Sequence, residues 1–396
     1  MKILKVCGGH PLGGQIMVAG SKNAALPIIF SCILINGVSE IENLPDIGDT
    51  RIALSILCDM GAVVHRIGDT TYIDTRDLRY TKPRDELVEK IRASTYLIGA
   101  CLGRFGICHV GKFGGCNFSN RPIDMHLDAC RSLGCDIRGD IIVGLPGEGE
   151  IHFNKPSVGA TVNAILLASS IRGRSVIYGA AGEPHIDCLI DFLISAGANI
   201  LRSGNRIEVI GSKLSGGRIR VIDDMIEAGS YMALSYLTDG KIQPLNIPYS
   251  EMTAVTNAFC RMGLDGDERY YTHVTAEPYP GFPTDLQPIF APLMAKYRGG
   301  VIIDDVWPER FGYLKSLEAF GIKFHVKGNH AEIYPSSVHS ATVDAPDLRG
   351  GFACLMTALM AEGESRIYSA EIILRGYENL VEKLSHLGAE ISIESI

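Results

Sequence analysis

Several features that define whole classes of protein are absent or nearly absent from the sequence. The 396 residues include one tryptophan, and the eleven cysteines form no C-x-x-C pair. No H-x-x-H pair or carboxylate cluster is present either, which predicts that the protein has no zinc or other metal site. No apolar run reaches the ~18 residues that a membrane helix needs, so we expect no membrane partner.

Positive charge is also scarce. Lysine and arginine number 37 against 45 aspartates and glutamates, which gives a net charge of −8. A nucleic-acid-binding surface needs a basic face, so we expect no nucleic-acid partner. Residues 1–7 are too short and too charged for a signal peptide. The odd number of cysteines, mostly within apolar segments, favours buried thiols in a reducing cytoplasm over disulfides.

A hydrophobic residue followed by glycine recurs along the chain. The glycines are Gly61, Gly134, Gly197, Gly263, Gly321 and Gly388, spaced by 58 to 73 residues. An amphipathic helical pattern precedes each one, which predicts a helix with a C-terminal glycine cap that turns into a strand. This spacing indicates six repeated units of about 65 residues, and the chain length predicts two domains or a repeat architecture.

A second helix in each unit is rich in small residues. The six candidates begin near Ser21, Arg92, Val158, Ile226, Thr284 and Asp347. Small residues allow close packing on several sides, so we expect these helices to be buried. Lysine and arginine are unfavourable at the positive end of a helix dipole. Lys22, Arg92 and Lys155 at these starts therefore indicate the binding of phosphate or carboxylate.

The segment from Gly114 to His126 has neither helical nor strand periodicity and contains a Gly-Gly-Cys run. Cys116 follows the two glycines, and Arg121 follows five residues later. A thiol near a fixed guanidinium is suited to proton transfer or nucleophilic attack. The alternative is a surface loop with an ordinary cysteine.

The Gly-Gly-Cys run and eight segments, one of them the end of the same loop, resemble the enolpyruvyl transferases from end to end. The eight segments are residues 19–26, 91–94, 121–126, 155–162, 282–287, 310–311, 347–349 and 375–378. The branch that acts on shikimate 3-phosphate shares the fold but lacks both the Gly-Gly-Cys loop and the Lys-Asn pair. The chain is more similar to the branch that acts on UDP-N-acetylglucosamine.

The resemblance implies an α/β fold of two inside-out barrels with three helix-strand units each. Residues 22–222 would form an N-terminal lobe that carries the cysteine loop. Residues 1–21 and 223–396 would form a C-terminal lobe, and the two would close over a cleft.

The implied reaction moves the enolpyruvyl group of phosphoenolpyruvate to the 3-hydroxyl of UDP-N-acetylglucosamine and releases phosphate. It is the first committed step of peptidoglycan precursor synthesis and needs no metal or other cofactor. The implied catalytic residues are Cys116 as acid, Asp285 as base, and Lys22 with Asn23. From the sequence alone, Asp285 could equally be an ordinary charge at a helix start.

The resemblance also implies the substrate contacts. Phosphoenolpyruvate would meet Lys22, Arg121, Arg310 and Arg375, with Asn23 bridging to the sugar hydroxyl and Arg92, Asp285 and Arg349 nearby. The uracil would be cradled by Arg121, Pro122, Ile123, Asp124 and Met125, the diphosphate by Lys155, Ser157, Val158 and Gly159, and the acetamido sugar by Val306. His126 could line the base pocket or be a structural histidine.

Several positions depart from the family pattern: Phe113, Phe118, Ser119, Met225 and Leu374. These departures leave open a related enzyme that enolpyruvylates another uridine nucleotide. They also leave open a catalytically idle relative that binds a nucleotide sugar without releasing phosphate.

Overall fold

The computed structural model describes residues 1–111, 113–114, 122–171 and 173–395. Its strands are β1 Lys2–Gly8, β2 Gly13–Met17, β3 Val38–Glu42, β4 Val63–Ile67, β5 Thr70–Asp74, β6 Ile107–His109, β7 Asp136–Arg138, β8 Ile141–Val143, β9 Gly149–His152, β10 Arg174–Tyr178, β11 Asn199–Ser203, β12 Arg206–Ile210, β13 Gly217–Arg220, β14 Lys241–Leu245, β15 Thr272–Ala276, β16 Gly300–Asp304, β17 Lys323–Lys327, β18 His330–Tyr334, β19 Thr342–Asp344, β20 Gly363–Tyr368 and β21 Glu390–Ser395.

The helices alternate with these strands, so the prediction of an α/β protein is confirmed. They are α1 Lys22–Ser31, α2 Gly48–Asp59, α3 Asp85–Val88, α4 Leu97–Phe105, α5 Asp124–Ser132, α6 Val158–Ser170, α7 Pro184–Ser195, α8 Met225–Leu237, α9 Thr253–Arg261, α10 Gln287–Lys296, α11 Leu314–Glu318, α12 Leu348–Met360 and α13 Leu380–His386. Short 3-10 helices occupy Cys32–Leu34, Arg92–Tyr96, Tyr249–Glu251 and Ala370–Arg375.

Contacts divide the chain into two compact units. The terminal unit contains residues 1–19 and 223–395, and the central unit contains the described residues between 20 and 222. The sequence placed this boundary after residue 21. Ser21 belongs with the central unit because its N–H donates to the carbonyl of Ile222 at 2.7 Å and its own carbonyl accepts from Ala25 in α1.

Four sheets share one topology, in which a parallel pair of strands is extended on one side by two further antiparallel strands. In the central unit the strand orders are β13-β3-β5-β4 and β9-β10-β12-β11. In the terminal unit they are β15-β16-β18-β17 and β19-β20-β1-β21. Smaller sheets in the described residues pair β6-β8-β7 and β14-β2.

The helices rich in small residues are buried, as their composition predicts. In α6 every residue from 160 to 169 is buried, and in α12 every residue from 348 to 359. Close approach needs glycine at Gly99 of α4, where a Cβ atom would lie 2.8 Å from the carbonyl oxygen of Asn163 in α6. Each unit has its own hydrophobic core around such helices.

The glycine turns occur as predicted. All six glycines follow a helix end and have positive φ, between 72° and 104°. In five cases a strand begins two residues later. The expectation was wrong at Gly263, because the chain continues through turns until β15 begins at Thr272. There the carbonyl of Gly263 accepts from the Arg269 side chain at 2.6 Å, which holds the longer connection.

Two of the predicted helix starts were also displaced. Arg92 begins a 3-10 helix that leads into α4, and α10 begins at Gln287, three residues after Thr284. Among the described helices, none is long and apolar enough to cross a membrane.

Candidate active site

In the terminal unit, Asp285 joins two buried arginines. Its Oδ1 accepts from Nη1 of Arg310 at 2.9 Å, and its Oδ2 accepts from Nη2 of Arg349 at 3.2 Å. The guanidinium-bearing side chains are only 4% exposed, whereas the Asp285 side chain is 27% exposed. Buried charges need paired partners, so the carboxylate offsets part of the positive charge of the two cations and fixes both guanidinium groups.

Arg349 lies in the first turn of α12, where a cation is unfavourable. Asp347 caps the helix by accepting from the backbone N–H groups of Arg349 and Gly350 at 2.9 and 3.0 Å. The guanidinium also lies over the ring of Tyr377, 5.4 Å from its centroid. Burial by itself would lower the pKa of Arg349, but the nearby Tyr377 and Asp285 together raise that pKa above its ordinary value. The arginine is therefore held charged and in one orientation.

Arg310 is also linked to two residues that the sequence did not single out as site residues, directly to Thr284 and through it to Asp304. Its Nη1 donates to Oγ1 of Thr284 at 3.0 Å, and Thr284 donates in turn to Oδ2 of Asp304 at 2.6 Å. Asp304 is the last residue of β16 and is fully buried. The only sequence signal was a carboxylate at the end of a β-branched strand, two residues before Val306.

Val306 and Arg375 belong to the same unit. The N–H of Val306 donates to Oδ1 of Asp304 at 3.0 Å. Val306 is therefore linked through Asp304 and Thr284 to Arg310. Arg375 ends a 3-10 helix and is half-buried. Its neighbour Gly376 packs against Leu348, where a Cβ atom would meet Cδ1 at 2.6 Å, so this segment adjoins the start of α12.

In the central unit, Lys22 begins α1 and forms an ion pair with Asp49, with 3.6 Å between Nζ and Oδ2. Asp49 is 4% exposed and lies in the first turn of α2. A buried carboxylate thus accounts in part for a lysine at the positive end of a helix. Asn23 is the next residue of α1 and is half-buried.

His126 lies at the centre of a second cluster in the central unit. Its Nδ1 is 2.7 Å from Nδ2 of Asn163, whose Oδ1 accepts from the N–H of Gly99 at 2.7 Å. Because the amide oxygen is used by Gly99, the amide nitrogen donates to the imidazole, and the proton of the neutral ring is on Nε2. Burial, with a smaller effect of the nearby Arg92, lowers the pKa of His126 to about 4. His126 is therefore a neutral, buried histidine.

The segments expected to contact uracil and diphosphate adjoin at this histidine. A Cβ atom on Gly159 would lie 2.9 Å from Cε1 of His126, so glycine is required for this contact. Ser157 caps α6, with its Oγ accepting from the N–H of Ala160 at 3.4 Å. The other described residues of these two segments are exposed or half-buried: Pro122, Ile123, Asp124, Met125, Lys155 and Val158.

Arg92, the first residue of its 3-10 helix, is also half-buried, and burial lowers its pKa. Two predicted residues, Cys116 and Arg121, lie outside the described residues, as do Phe118 and Ser119. Their placement stays a prediction.

The departures from the family pattern that lie within the described residues are apolar side chains packed against a hydrophobic core. Phe113 packs against the hydrophobic core of the central unit, and Met225 and Leu374 pack against that of the terminal unit. Next to Phe113, a side chain on Gly114 would collide with the backbone carbonyl of Glu89. The first glycine of the Gly-Gly-Cys run is therefore required by packing.

Residues 6–384 match the family described as EPSP synthase (3-phosphoshikimate 1-carboxyvinyltransferase). UDP-N-acetylglucosamine 1-carboxyvinyltransferase of Prosthecochloris aestuarii is 37% identical over 420 aligned positions, which cover 100% of this chain and 99% of that protein. UDP-N-acetylglucosamine 1-carboxyvinyltransferase 2 of Staphylococcus aureus is 35% identical with the same coverage. The protein of Halothermothrix orenii that carries the first of these names is 37% identical over 97% of both chains.

Solved structures show the same architecture. The enolpyruvyl transferase NikO from Streptomyces tendae has a TM-score of 0.88 at 23% identity, covering 100% of this chain and 99% of its own. An EPSP synthase from Acinetobacter baumannii has a TM-score of 0.73 at 16% identity, with full coverage of both chains. At these identities the likeness shows a shared fold.

Proposed function

Because the chain belongs to the EPSP synthase (3-phosphoshikimate 1-carboxyvinyltransferase) family, we propose that it transfers the enolpyruvyl group of phosphoenolpyruvate to the 3-hydroxyl of UDP-N-acetylglucosamine. Three relatives that match over almost their full length are named for that transfer. The observation that carries the proposal is the pair of buried guanidinium groups, Arg310 and Arg349, on the partly exposed Asp285. This arrangement supplies cations that can bind a small anion and a carboxylate that can accept a proton.

Phosphoenolpyruvate carries a carboxylate and a phosphate, and arginine binds both groups bidentately. The cations proposed from the family resemblance are Arg310, Arg349, Arg375, Lys22, Arg92 and Arg121. When guanidinium groups turn to the substrate, Asp285 is released from charge pairing and becomes a better proton acceptor.

The reaction proceeds by addition and then elimination. Asp285 takes the proton of the sugar 3-hydroxyl as that oxygen bonds to C2 of phosphoenolpyruvate, and Cys116 delivers a proton to C3. The product of addition is a tetrahedral ketal phosphate. Loss of a proton from C3 and cleavage of the bond between C2 and the phosphate oxygen then give the enol ether and free phosphate. Asn23 would bridge the hydroxyl and the enolpyruvyl group.

The UDP-sugar would be held mainly by the central unit. The segment of residues 121–125 would cradle uracil, and Lys155, Ser157, Val158 and Gly159 would contact the diphosphate. Contact between His126 and Gly159 supports a shared pocket for base and diphosphate. Val306, tied to Asp304, would touch the acetamido sugar.

The finer architecture is part of the same proposal. Six glycine turns and four sheets of one topology support six related units, three in each of two inside-out barrels. The lobes would correspond to the two compact units, with Ser21 in the central unit instead of the terminal one. We further propose that the enzyme acts in the cytoplasm, on peptidoglycan precursors, without a metal or nucleic-acid partner.

A second candidate is the same chemistry on another uridine nucleotide. The observation that favours it is at position 374, directly before Arg375. The family pattern has a carboxylate at this position, whereas this chain has Leu374, which packs against the hydrophobic core. The acceptor pocket could therefore differ in charge.

Phosphate release from phosphoenolpyruvate with a panel of acceptors tests both candidates. We expect UDP-N-acetylglucosamine to give the highest kcat/KM, at least tenfold above UMP and other uridine nucleotides. A preference for another nucleotide would favour the second candidate. Binding of the UDP-sugar without phosphate release for any acceptor would refute the transferase and favour the catalytically idle relative.

A further inference from the structure

Asp304 is a fully buried carboxylate to which the proposed reaction gives no role. Its Oδ2 accepts from the hydroxyl of Thr284 at 2.6 Å. Its Oδ1 accepts from the backbone N–H groups of Val306 and Trp307 at 3.0 and 2.7 Å. Burial raises the pKa of Asp304, whereas these hydrogen bonds oppose the shift. All three bonds are donated to the carboxylate, so each oxygen is used.

These bonds give the Thr284 hydroxyl a fixed direction. A hydroxyl has one proton and accepts through its lone pairs. Thr284 gives that proton to Asp304 and accepts from Nη1 of Arg310 at 3.0 Å. The same Nη1 donates to Asp285 at 2.9 Å. Arginine can only donate, so the order of donation runs from Arg310 through Thr284 to Asp304.

The carboxylate also fixes the backbone that carries Arg310. Oδ1 of Asp304 holds the N–H groups of Val306 and Trp307 directly after β16. The carbonyl of Trp307 then accepts from the N–H of Arg310 at 3.0 Å. Asp304 thus controls Arg310 in two ways, through the turn that bears it and through the hydroxyl against which its guanidinium rests.

We propose that Asp304 is a positioning residue for Arg310, acting through Thr284 to orient the guanidinium that receives an anionic group of phosphoenolpyruvate. This inference rests on the proposed function. The loop after β16 alone does not fix the long, flexible arginine side chain, whose orientation needs a hydrogen-bond partner at its charged end.

The substitution Asp304→Asn tests this role with little change of shape. If the amide oxygen keeps the two backbone N–H groups, the amide nitrogen faces Thr284 and donates to its hydroxyl. The proton of the Thr284 hydroxyl must then turn away from residue 304, into the space of the Arg310 N–H group that donates to the same oxygen. Loss of one charge-assisted hydrogen bond predicts a KM for phosphoenolpyruvate that rises about tenfold, while the KM for UDP-N-acetylglucosamine changes less than twofold.

Asp305→Asn is the matched control. Asp305 is exposed and accepts from the side chain of Asn329 at 2.7 Å. The control removes the same charge one residue away and leaves intact the bonds of Asp304 to Thr284, Val306 and Trp307. We expect both KM values to stay within twofold of the parent protein.

A double variant separates positioning from a general structural effect. If Asp304 acts through Thr284, then Thr284→Val combined with Asp304→Asn should raise the KM for phosphoenolpyruvate no more than Thr284→Val alone. If the KM of the double variant instead rises by the product of the two single effects, the proposal is overturned. An unchanged KM for phosphoenolpyruvate in Asp304→Asn would overturn it as well. Unfolding temperatures, measured in parallel, show that each assay is run on folded protein.

Calorimetric binding of phosphoenolpyruvate distinguishes this inference from the proposed function. It is measured with UDP-N-acetylglucosamine present and in a Cys116→Ala background, so that turnover contributes no heat. If the parent protein binds phosphoenolpyruvate but releases no phosphate, the proposed transfer is refuted, and a tenfold weaker affinity of Asp304→Asn still supports positioning. Equal affinities would overturn the inference even in an active enzyme. A parent protein that does not bind phosphoenolpyruvate overturns both.

Discussion

The buried ion pair between Glu227 and Lys383 should contribute strongly to the stability of the terminal unit. Glu227 lies in the first turn of α8 and is 3% exposed. Its Oε1 accepts from Nζ of Lys383 in α13 at 2.7 Å, and its Oε2 accepts from the N–H of Ala19 at 2.7 Å. One carboxylate therefore joins the N-terminal segment to two helices. Burial raises the pKa of Glu227, while Lys383 opposes that shift.

We predict that Lys383→Met lowers the free energy of unfolding by about 3 kcal/mol at pH 8. Breaking a buried pair by removing one partner costs ~3–5 kcal/mol, since the other charge is left uncompensated. We expect the lower end of this range because Glu227 can take up a proton instead of staying charged. For a unit of ~150–250 residues, this loss corresponds to a fall of roughly 6–12 °C in the unfolding temperature. Differential scanning calorimetry measures it directly.

The effect should depend on pH with a defined sign. A carboxyl group whose pKa is raised by folding binds its proton more tightly in the folded state, so its contribution to stability falls as pH rises above the ordinary value of 4.5. Without Lys383 the pKa of Glu227 rises further. The difference between variant and parent should therefore be larger at pH 8 than at pH 5.

Two controls make the test specific. Lys5→Met makes the same substitution in the exposed pair with Glu364, where Nζ and Oε2 are 2.9 Å apart. We expect no measurable change there, because solvent screens the pair. Adding Glu227→Gln to Lys383→Met should restore most of the lost stability. If Lys383→Met unfolds at the same temperature as Lys5→Met at pH 8, the reasoning about buried charge is wrong.

Two other substitutions test the proposed acid and the neutral histidine. Cys116→Ala should abolish phosphate release, whereas Cys116→Asp should keep a measurable part of it because a carboxylic acid can still deliver the proton; full activity in the alanine variant would contradict the assignment. The pKa of His126 is lowered from 6.5 to about 4, so the unfolded state binds a proton first, and stability should fall by up to about 3 kcal/mol as pH drops from 6.5 to 4. Urea unfolding should show a flatter pH dependence in His126→Gln, and an equally steep one would exclude His126 as the cause.

Local backbone chemistry explains why much of the fold could be predicted. A helix that ends in a left-handed residue needs glycine, so Gly61, Gly134 and their counterparts mark helix ends without any knowledge of tertiary structure. The small residues of α6 and α12 likewise indicate burial on all sides. The error at Gly263 arose because the cap ends the helix but does not determine how soon a strand follows.

The missed residues depend on contacts between distant parts of the chain. Thr284 and Asp304 are separated by 20 residues and meet because β16 brings its last residue beside the turn before α10. Lys22 and Asp49 meet at the starts of two different helices. The sequence attributed Lys22 to an anionic ligand, but a buried carboxylate of the protein also stabilises that charge. No local pattern specifies such a pairing.

Asp285 and Asp304 show why burial, as well as charge, decides which carboxylate can act as a base. Both are close to Thr284 and Arg310, but Asp304 is fully buried and both of its oxygens accept hydrogen bonds from the protein. A substrate hydroxyl cannot reach it. The Asp285 side chain is 27% exposed, and its bonds are to two arginines that an anionic substrate can attract. Of the two, only Asp285 can exchange its partners for substrate, which supports the proposal that Asp285 is the proton acceptor and Asp304 a positioning residue.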